Sequence, residues 1–333
     1  MRRRVKDLGF RSFLCVPIPG PEQTIGSLTV AWRDGAPEHL SHCLTLSREA
    51  ERLGLMLDRL EHESPLALQG LPIAEGLLDV RVLGSFALRR GAVALSLDSF
   101  PRRRAITLLK ILLTHHGKVV LRDELVELLW DSETPKDGGQ LLKIVVHYLR
   151  RGLGQAENAR GQTAFILTEP HGYLFNPASL HRFDALEFEK HADEGFQNER
   201  RGRWREALVE LRAAADIYSG DFLGDEPYSD WCVRRRRQLR EKLFDVLLTI
   251  ARLLRSAGDY EAAIPAYRRL LEIDPCLEEV HRDLMEVLHF AGKRTLALRQ
   301  FEACRTALRD EFDVGPSIET ETLYRSILAG STG

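Results

Sequence analysis

Apolar residues in the first 76 positions form two short runs followed by a longer, helix-like pattern. Ser12–Ile18 and Ile25–Trp32 are β-type runs separated by a Pro-Gly-Pro turn, which predicts a hairpin. The spacing of leucines from about Glu38 to Leu60 predicts a helix. Residues 63–76 contain two prolines and two glycines without any period, as linkers do. We therefore expect a short α+β segment over residues 1–62 and a linker over residues 63–76.

The next segment, residues 77–178, changes from strand-like to helix-like periodicity and back. Its predicted elements are two strands, three helices and a hairpin, in the order Leu78–Leu83, Phe86–Leu88, Arg102–His116, Arg122–Trp130, Pro135–Leu153, and Ala164–Thr168 with Tyr173–Asn176. A short helix, a tight turn, a further helix and a hairpin in this order are typical of a helix-turn-helix DNA-binding domain.

The third of these helices has one apolar face and one polar face. Its apolar residues recur at helical spacing, and they are Leu142, Val146, Leu149 and Leu153. The opposite stripe carries hydrogen-bonding side chains, namely Gln140, Lys143, His147, Arg150 and, beside it, Arg151. In the major groove, arginine or lysine can pair with guanine and glutamine can pair with adenine. Such a stripe on an isolated helix would be explained by solvation alone, but its place in the element order favours DNA recognition.

Residues 179–333 contain a repeat that is anchored on three glycines. Gly202, Gly258 and Gly292 are each followed by an alanine at the fifth position and by apolar residues at the sixth and ninth positions. The second and third glycines lie 34 residues apart, which is the period of tetratricopeptide (TPR) repeats. The first interval is 56, so about 22 extra residues, 219–240, interrupt the stack. A three-unit helical solenoid follows, and such solenoids usually bind other macromolecules.

Charge distinguishes the middle segment from its neighbours. Residues 77–178 carry 14 basic and 10 acidic residues, a net charge of +4, whereas residues 1–76 have −1 and residues 179–333 have −5. A positive segment between negative neighbours favours a polyanionic partner.

Composition excludes two other classes of protein. Of the 333 residues, 44% are hydrophobic and 29% are charged, which excludes a mainly disordered chain. The uncharged stretches, among them Ser64–Ala74, are all shorter than the ~18 residues of a membrane span, so we expect no membrane partner. The basic start is followed by a proline-containing stretch rather than by a signal-peptide core. The five cysteines are widely spaced, which predicts reduced thiols and a cytoplasmic location.

The N-terminal segment resembles part of a sensory domain. Leu8–Ser12, Val16–Ile18 and Ile25–Leu28 are similar to the last third of a GAF domain, over about 55 residues. The half that would supply most of a ligand pocket is not included in this match. The resemblance therefore favours a structural remnant or a truncated start over a working sensor.

The rest of the chain resembles a specific family of regulators. The motifs similar to an OmpR-type winged helix-turn-helix are Val82–Gly84, Arg104-Ala105, Leu108-Leu109, Arg122–Leu125, Leu129-Trp130, Leu149–Leu153 and His171–Tyr173. The motifs similar to the bacterial transcriptional activation domain are Ala214–Gly224, Asp230-Trp231, Leu271–Pro275 and Gly315–Thr320. This pairing defines the SARP type of transcriptional activators. The resemblance covers about 250 residues and implies a winged helix over 77–178 followed by a TPR-like activation domain over 179–333.

The resemblance also implies which residues meet DNA. On the third helix, the DNA-facing positions of the family fall on Gln140, Lys143, Val145, His147, Tyr148, Arg150 and Arg151. Outside this helix, the expected DNA-binding residues are Arg122, Trp130 and His171. Trp130 has two interpretations, packing at the end of the second helix or contact with a phosphate. The wing of the family often bears an arginine that enters the minor groove, where this chain has Glu169.

Rival sites are explained more simply. His39, His42 and Cys43 have metal-like residue types but lack a nearby fourth ligand. His181, Asp184, Glu187 and His191 are explained by an exposed polar helix face. The sequence contains no phosphate-binding Gly-x-x-x-x-Gly-Lys-Ser/Thr loop, no Gly-x-Ser-x-Gly elbow and no His-Glu-x-x-His motif. We therefore expect no catalytic residue, no metal and no cofactor.

The sequence thus predicts a multi-domain, mainly α protein that acts as a DNA-binding transcriptional activator. The expected partners are double-stranded DNA, read as direct repeats, RNA polymerase and a second copy of the chain. The alternative is a TPR interaction scaffold whose winged helix does not bind DNA. A third class, an enzyme acting through the N-terminal segment, is disfavoured by the missing motifs.

Overall fold

The structure is a computed structural model, and it describes residues 12–19, 24–32, 77–91, 93–95, 103–130, 137–155 and 164–330. The chain divides into two compact units, residues 1–72 and 73–333, and each is described by itself. In the first unit, strands β1 (Ser12–Pro19) and β2 (Thr24–Trp32) pair antiparallel with a register shift at Ile18/Pro19. The predicted hairpin is confirmed. The predicted helix from Glu38 to Leu60 and the linker lie outside the described residues.

The second unit opens with a small sheet. Strands β3 (Leu78–Arg81), β4 (Ala87–Arg90) and β5 (Val93–Ala94) form a meander. A later strand, β9 (His181–Phe183), pairs in parallel with β3, which gives the order β5-β4-β3-β9. The sequence pattern does not predict β9, because three residues are too few to show a period. This strand lies after the domain boundary predicted between residues 178 and 179, yet it belongs to the sheet of the winged helix.

Three helices and a second sheet complete the winged helix. The helices are α1 (Arg103–Thr114), α2 (Arg122–Trp130) and α3 (Gly138–Gly152). Strand β6 (Val120–Leu121) pairs with β8 (Gly172–Phe175), which in turn pairs with β7 (Ile166–Glu169). The strands, the three helices and the final hairpin follow one another in the predicted order. Each observed boundary lies within a few residues of its predicted position.

The remaining chain is a series of antiparallel helix pairs. The helices are α4 (Asp184–Arg200), α5 (Trp204–Ile217), α6 (Asp230–Ser256), α7 (Tyr260–Ile273), α8 (Glu278–Phe290), α9 (Arg294–Phe312) and α10 (Ile318–Ala329). Among the described residues, no helix combines the length and the apolar composition needed to cross a membrane.

The predicted glycine register of the repeats is confirmed by backbone and burial. Gly202, Gly258 and Gly292 have φ angles of 72°, 76° and 75°, and in each case the next helix begins two residues later. This left-handed conformation favours glycine, because a side chain would be strained there. The alanines five residues after the glycines, Ala207, Ala263 and Ala297, are fully buried where neighbouring helices approach.

The extra residues between the first two repeats form a junction with the winged helix. Residues 218–229, called the junction loop below, lie between α5 and α6, and the rest of the insertion extends α6 to 27 residues. The Leu223 amide donates to the Val82 carbonyl at 2.7 Å, and Leu83 forms an isolated β-bridge with Phe222. The interruption of the repeat therefore has a structural role, because it attaches the repeats to the sheet of the winged helix.

A buried lysine strengthens this junction. Lys110 of α1 is only 4% exposed, and its Nζ lies 2.6 Å from the Asp225 carboxylate and 2.7 Å from the Glu226 carboxylate. The ammonium also lies 5.0 Å from the ring centre of Phe86. A buried charge is tolerated when it is paired in this way. The winged helix and the repeats are thus joined by a charged contact as well as by backbone hydrogen bonds.

Candidate nucleic-acid interface

Helix α3 is held by an apolar face packed against the rest of the winged helix. Leu142, Val146 and Leu149 are buried, as the helical period predicted. A Cβ atom at Gly138 would lie 2.6 Å from Cγ1 of Val126, so the absence of a side chain lets the start of α3 approach α2 closely. The burial of one face of α3 fixes which side of the helix meets solvent.

The outer face of α3 carries a row of exposed side chains. Gln140, Lys143, His147 and Arg151 are exposed, as predicted for the DNA-facing stripe. Ile144 lies in the same row and is 40% exposed, although the sequence analysis did not select it. Its spacing of four residues from Gln140 and three from His147 was the signal that could have identified it.

One residue of the family-derived set lies on the other face. Val145 is 1% exposed and belongs to the core, so the expectation that it faces DNA was wrong. Its neighbours Leu142 and Leu149 lie three residues before and four residues after it, which places all three on the buried side.

Arg150 is half-buried and holds the wing, the hairpin formed by β7 and β8. Its Nη2 donates to the Ile166 carbonyl at 3.1 Å and to Oγ1 of Thr168 at 2.7 Å. Burial lowers the pKa of this guanidinium below its usual value. Gln155 assists, because its Oε1 accepts the amides of Phe165 and Ile166 at 3.0 and 2.9 Å. The end of α3 and the wing are therefore joined by side-chain hydrogen bonds.

Arg122, at the start of α2, makes a second link to the wing. Its Nη2 donates to the Glu169 carbonyl at 3.2 Å, and its guanidinium lies 5.9 Å from the ring centre of Tyr173. The Arg122 amide donates to the carbonyl of His171, whose exposed side chain lies in the turn of the wing. The backbone carbonyl of Glu169, rather than its carboxylate, is thus what the arginine contacts.

Two aromatic residues of the predicted set are partly buried. Trp130 packs against the core, and the guanidinium of Arg104 lies 5.3 Å from its ring centre. The Arg104 Nε also donates to the Leu129 carbonyl at 3.3 Å, at the end of α2. Tyr148 packs against the core and meets the ring of His147 edge-on, at 5.8 Å between centroids. For Trp130, these contacts support the packing interpretation.

The polar residues at the start of the activation domain do not form one exposed face. The Asp184 carboxylate accepts the amides of Val82 and Leu83 at 2.9 and 3.0 Å. Burial raises its pKa to about 6, although these amide hydrogen bonds oppose the shift. The exposed-face interpretation was therefore wrong for Asp184, which fastens α4 to the winged helix.

His181 is half-buried in this region rather than exposed. Its Nε2 lies 3.1 Å from Nε2 of His116, and its Nδ1 lies 2.9 Å from the Ser179 carbonyl. His116 and His181 are called the histidine pair below. Burial lowers the pKa of both imidazoles, and that of His116 falls to about 4. The pair is therefore uncharged near neutral pH, and one imidazole donates to the other through the two Nε2 atoms.

His191 is the one member of the group with metal-like neighbours. Its Nδ1 lies 2.7 Å from the Glu210 carboxylate, and the ligand atoms of His191, Glu194 and Glu210 all lie within 4.8 Å of one another. The hydrogen bond between His191 and Glu210 accounts for the arrangement. His39, His42 and Cys43 lie outside the described residues.

Comparisons with known proteins agree with this architecture. Residues 101–175 match the family model of the transcriptional regulatory protein C-terminal domain, and residues 183–328 match that of the bacterial transcriptional activator domain. Both matches lie after residue 100, so the GAF-like resemblance of the N-terminal segment stays a prediction.

Two curated relatives align over most of the chain. The transcriptional regulatory protein MoaR1 of Mycobacterium tuberculosis is 25% identical over 76% of this chain and 80% of its own length. The regulatory protein DnrI of Streptomyces peucetius is 24% identical over 77% of this chain and 94% of its own length.

A solved structure shares the fold. Mycobacterium tuberculosis EmbR, determined in complex with a low affinity phosphopeptide, is similar with a TM-score of 0.62 and 20% identity, over 77% of this chain and 66% of that chain. The order of a winged helix and a helical repeat domain is therefore found in a solved protein.

Proposed function

The chain is a SARP-type transcriptional regulator, in which an OmpR-type winged helix precedes a bacterial transcriptional activator domain, and from this premise we propose that it activates transcription by placing α3 in the major groove of promoter DNA. The observation that supports this proposal is the row of exposed side chains on α3. Gln140, Lys143, His147 and Arg151 offer amide, ammonium, imidazole and guanidinium donors along one side of a helix whose other side is packed.

The predicted DNA-binding residues divide into two roles in this proposal. The exposed residues Gln140, Lys143, His147 and Arg151 contact base edges and phosphates. Tyr148 at the edge of the row and His171 in the turn of the wing contact the DNA backbone.

Arg150, Arg122 and Trp130 act indirectly. The two arginines hold the wing against α3 and α2, so we assign to them the positioning of the wing rather than base contacts. Trp130 supports the end of α2 through its contact with Arg104. Without these links, the wing and the recognition helix would no longer share one fixed orientation toward the duplex.

The partners beyond DNA are also part of the proposal. The activator domain is net acidic, which argues against phosphate contacts and favours contacts with proteins. We assign to it RNA polymerase and a second copy of the chain, bound to direct repeats about one helical turn apart, ~10–11 base pairs. Two linked winged helices gain affinity through effective concentration without new base contacts. We place the protein in the cytoplasm and give it no catalytic role.

Selection of genomic DNA fragments by the purified chain, followed by sequencing and footprinting, tests the proposal. We expect a short repeated site, and binding that weakens steeply as salt rises, because each neutralised phosphate releases counterions. Lys143→Ala should weaken binding by ~1–3 kcal/mol at one position if it reads a base, or lower the salt slope by about one unit if it meets a phosphate. Lys190→Ala, an exposed lysine on α4, is the matched control and should have no effect.

Two results would contradict the proposal. If the chain shows no salt-dependent DNA binding, the alternative of a TPR scaffold with a winged helix that does not bind DNA is favoured. If Lys143→Ala and Lys190→Ala bind the selected site equally well and with the same salt slope, α3 is not the reading helix.

A further inference from the structure

The exposed row on α3 contains one apolar side chain among polar ones. Of the other large aliphatic residues in the turns around it, Leu141 is half-buried and the rest are at most 2% exposed, namely Leu142, Val145, Val146 and Leu149, whereas Ile144 is 40% exposed. A single exposed aliphatic residue is common on protein surfaces and needs no explanation by itself. The position of this residue, rather than its exposure, is what points to a function.

Ile144 lies at the centre of the donor row. Gln140 precedes it by one helical turn, and His147 follows it by three residues, so all three side chains share one side of the helix. The side chain is β-branched and has few rotamers in a helix, so ordering it against a ligand costs little entropy. When the helix enters the DNA groove, the apolar side chain in this row loses its water. This loss stabilises the complex when an apolar surface of the DNA covers the side chain.

The major groove offers one such surface. Thymine presents a C5-methyl group there, and aliphatic side chains discriminate thymine through contact with this methyl. Resting on the proposed function of α3, we propose that Ile144 contacts a thymine methyl and thereby determines one position of the operator sequence. Residues four apart on a helix are separated by about 6 Å, so the thymine lies within about two base pairs of the base that Gln140 contacts.

Substitution of thymine by deoxyuridine tests this contact directly. Deoxyuridine lacks the methyl group and keeps the base-pairing edge, so single replacements in the selected operator probe each methyl in turn. For the wild-type chain we expect Kd to rise about 4-fold at one thymine, which corresponds to the burial of one methyl group. Ile144→Ala should bind the thymine operator less tightly and should not distinguish thymine from deoxyuridine at that position, whereas Ile144→Val should retain the distinction.

A control variant and two distinct results separate the failure of the Ile144 contact from the failure of DNA binding as a whole. Val209→Ala truncates an aliphatic side chain of α5 that is more exposed than Ile144, 64% against 40%, and should leave the methyl discrimination unchanged. Because Ile144 is on the surface, its variants should melt at the wild-type temperature. Tight operator binding that ignores every thymine methyl, or discrimination that persists in Ile144→Ala, overturns this inference alone. Failure of the wild-type chain to bind any duplex overturns the proposed function as well.

Discussion

Replacing Lys110 by methionine removes the positive charge at the junction between α1 and the junction loop. Methionine fills a similar volume, so the main loss is the pair of ionic contacts with Asp225 and Glu226. Breaking a fully buried ion pair costs about 3–5 kcal/mol, whereas an exposed one contributes at most about 1 kcal/mol. The lysine side chain is 5% exposed and the two carboxylates are 38% and 29% exposed, so water can solvate them after the change. We therefore expect a loss of about 2 kcal/mol in the free energy of unfolding.

Chemical and thermal unfolding of residues 77–333 measures this loss. A decrease of about 2 kcal/mol corresponds to a melting temperature lowered by about 4–8 °C for a chain of this size. Adding Asp225→Asn and Glu226→Gln to Lys110→Met removes the unpaired carboxylates and should recover at least half of the loss. The matched control is Lys190→Met, whose exposed ammonium lies 4.0 Å from Glu194 and contributes less than about 0.5 kcal/mol. If Lys110→Met unfolds within 0.5 kcal/mol of the wild type, about the size of the control effect, the junction is not stabilised as the contacts indicate.

Three further predictions address the repeats, the histidine pair and the two domains. Ala263→Arg and Ala297→Arg should each lower the melting temperature strongly, because they place a charge between packed helices. Leu296→Arg, on the surface, should not. If the alanine variants and the Leu296 control have the same melting temperature, the repeat register is refuted. The pKa of His116 is about 6.5 in the unfolded chain and about 4 in the folded chain, so the unfolded chain takes up the proton first. The contribution of His116 to stability should therefore be complete above pH 6.5 and should decrease as the pH falls toward 4. If the unfolding curves of the wild type and His116→Gln keep a constant separation from pH 7.5 to 5, this prediction is contradicted. Residues 77–178 alone should bind one half-site weakly and fail to activate transcription in vitro, whereas residues 77–333 should do both, and equal activation by the shorter fragment would exclude the repeats as effector.

The sequence predicted those parts of the fold that depend on local periodicity. The buried face of α3 follows from leucines and valines at helical spacing, and each repeat glycine marks a helix end because few other residues adopt a positive φ. Both signals lie within a few residues of one another along the chain. For that reason, the winged helix and the repeat register could be derived without a structure.

The remaining features depend on contacts between distant positions. Lys110 and Glu226 are separated by 116 residues, and nothing near either one indicates the other. Helical spacing places Arg150 on the polar side of α3. It does not indicate that the long side chain of Arg150 reaches back to the Ile166 carbonyl. The same limit applies to the candidate site, where helical spacing identified the donors and left out Ile144, the one member that is not polar.

The length of chain between Lys110 and Glu226 also has a consequence during synthesis on the ribosome. At about 5–20 residues per second, the 116 residues that separate them take roughly 6–23 s to translate. Until then α1 holds a lysine without its full set of counter-ions, and until residue 183 has been made β3 also lacks its neighbour β9. A nascent or prematurely terminated chain that already contains α3 therefore has an incomplete winged helix. The contacts of the winged helix are thus complete only once the first repeat has been made, and we expect terminated fragments to bind promoter DNA less tightly than the finished chain.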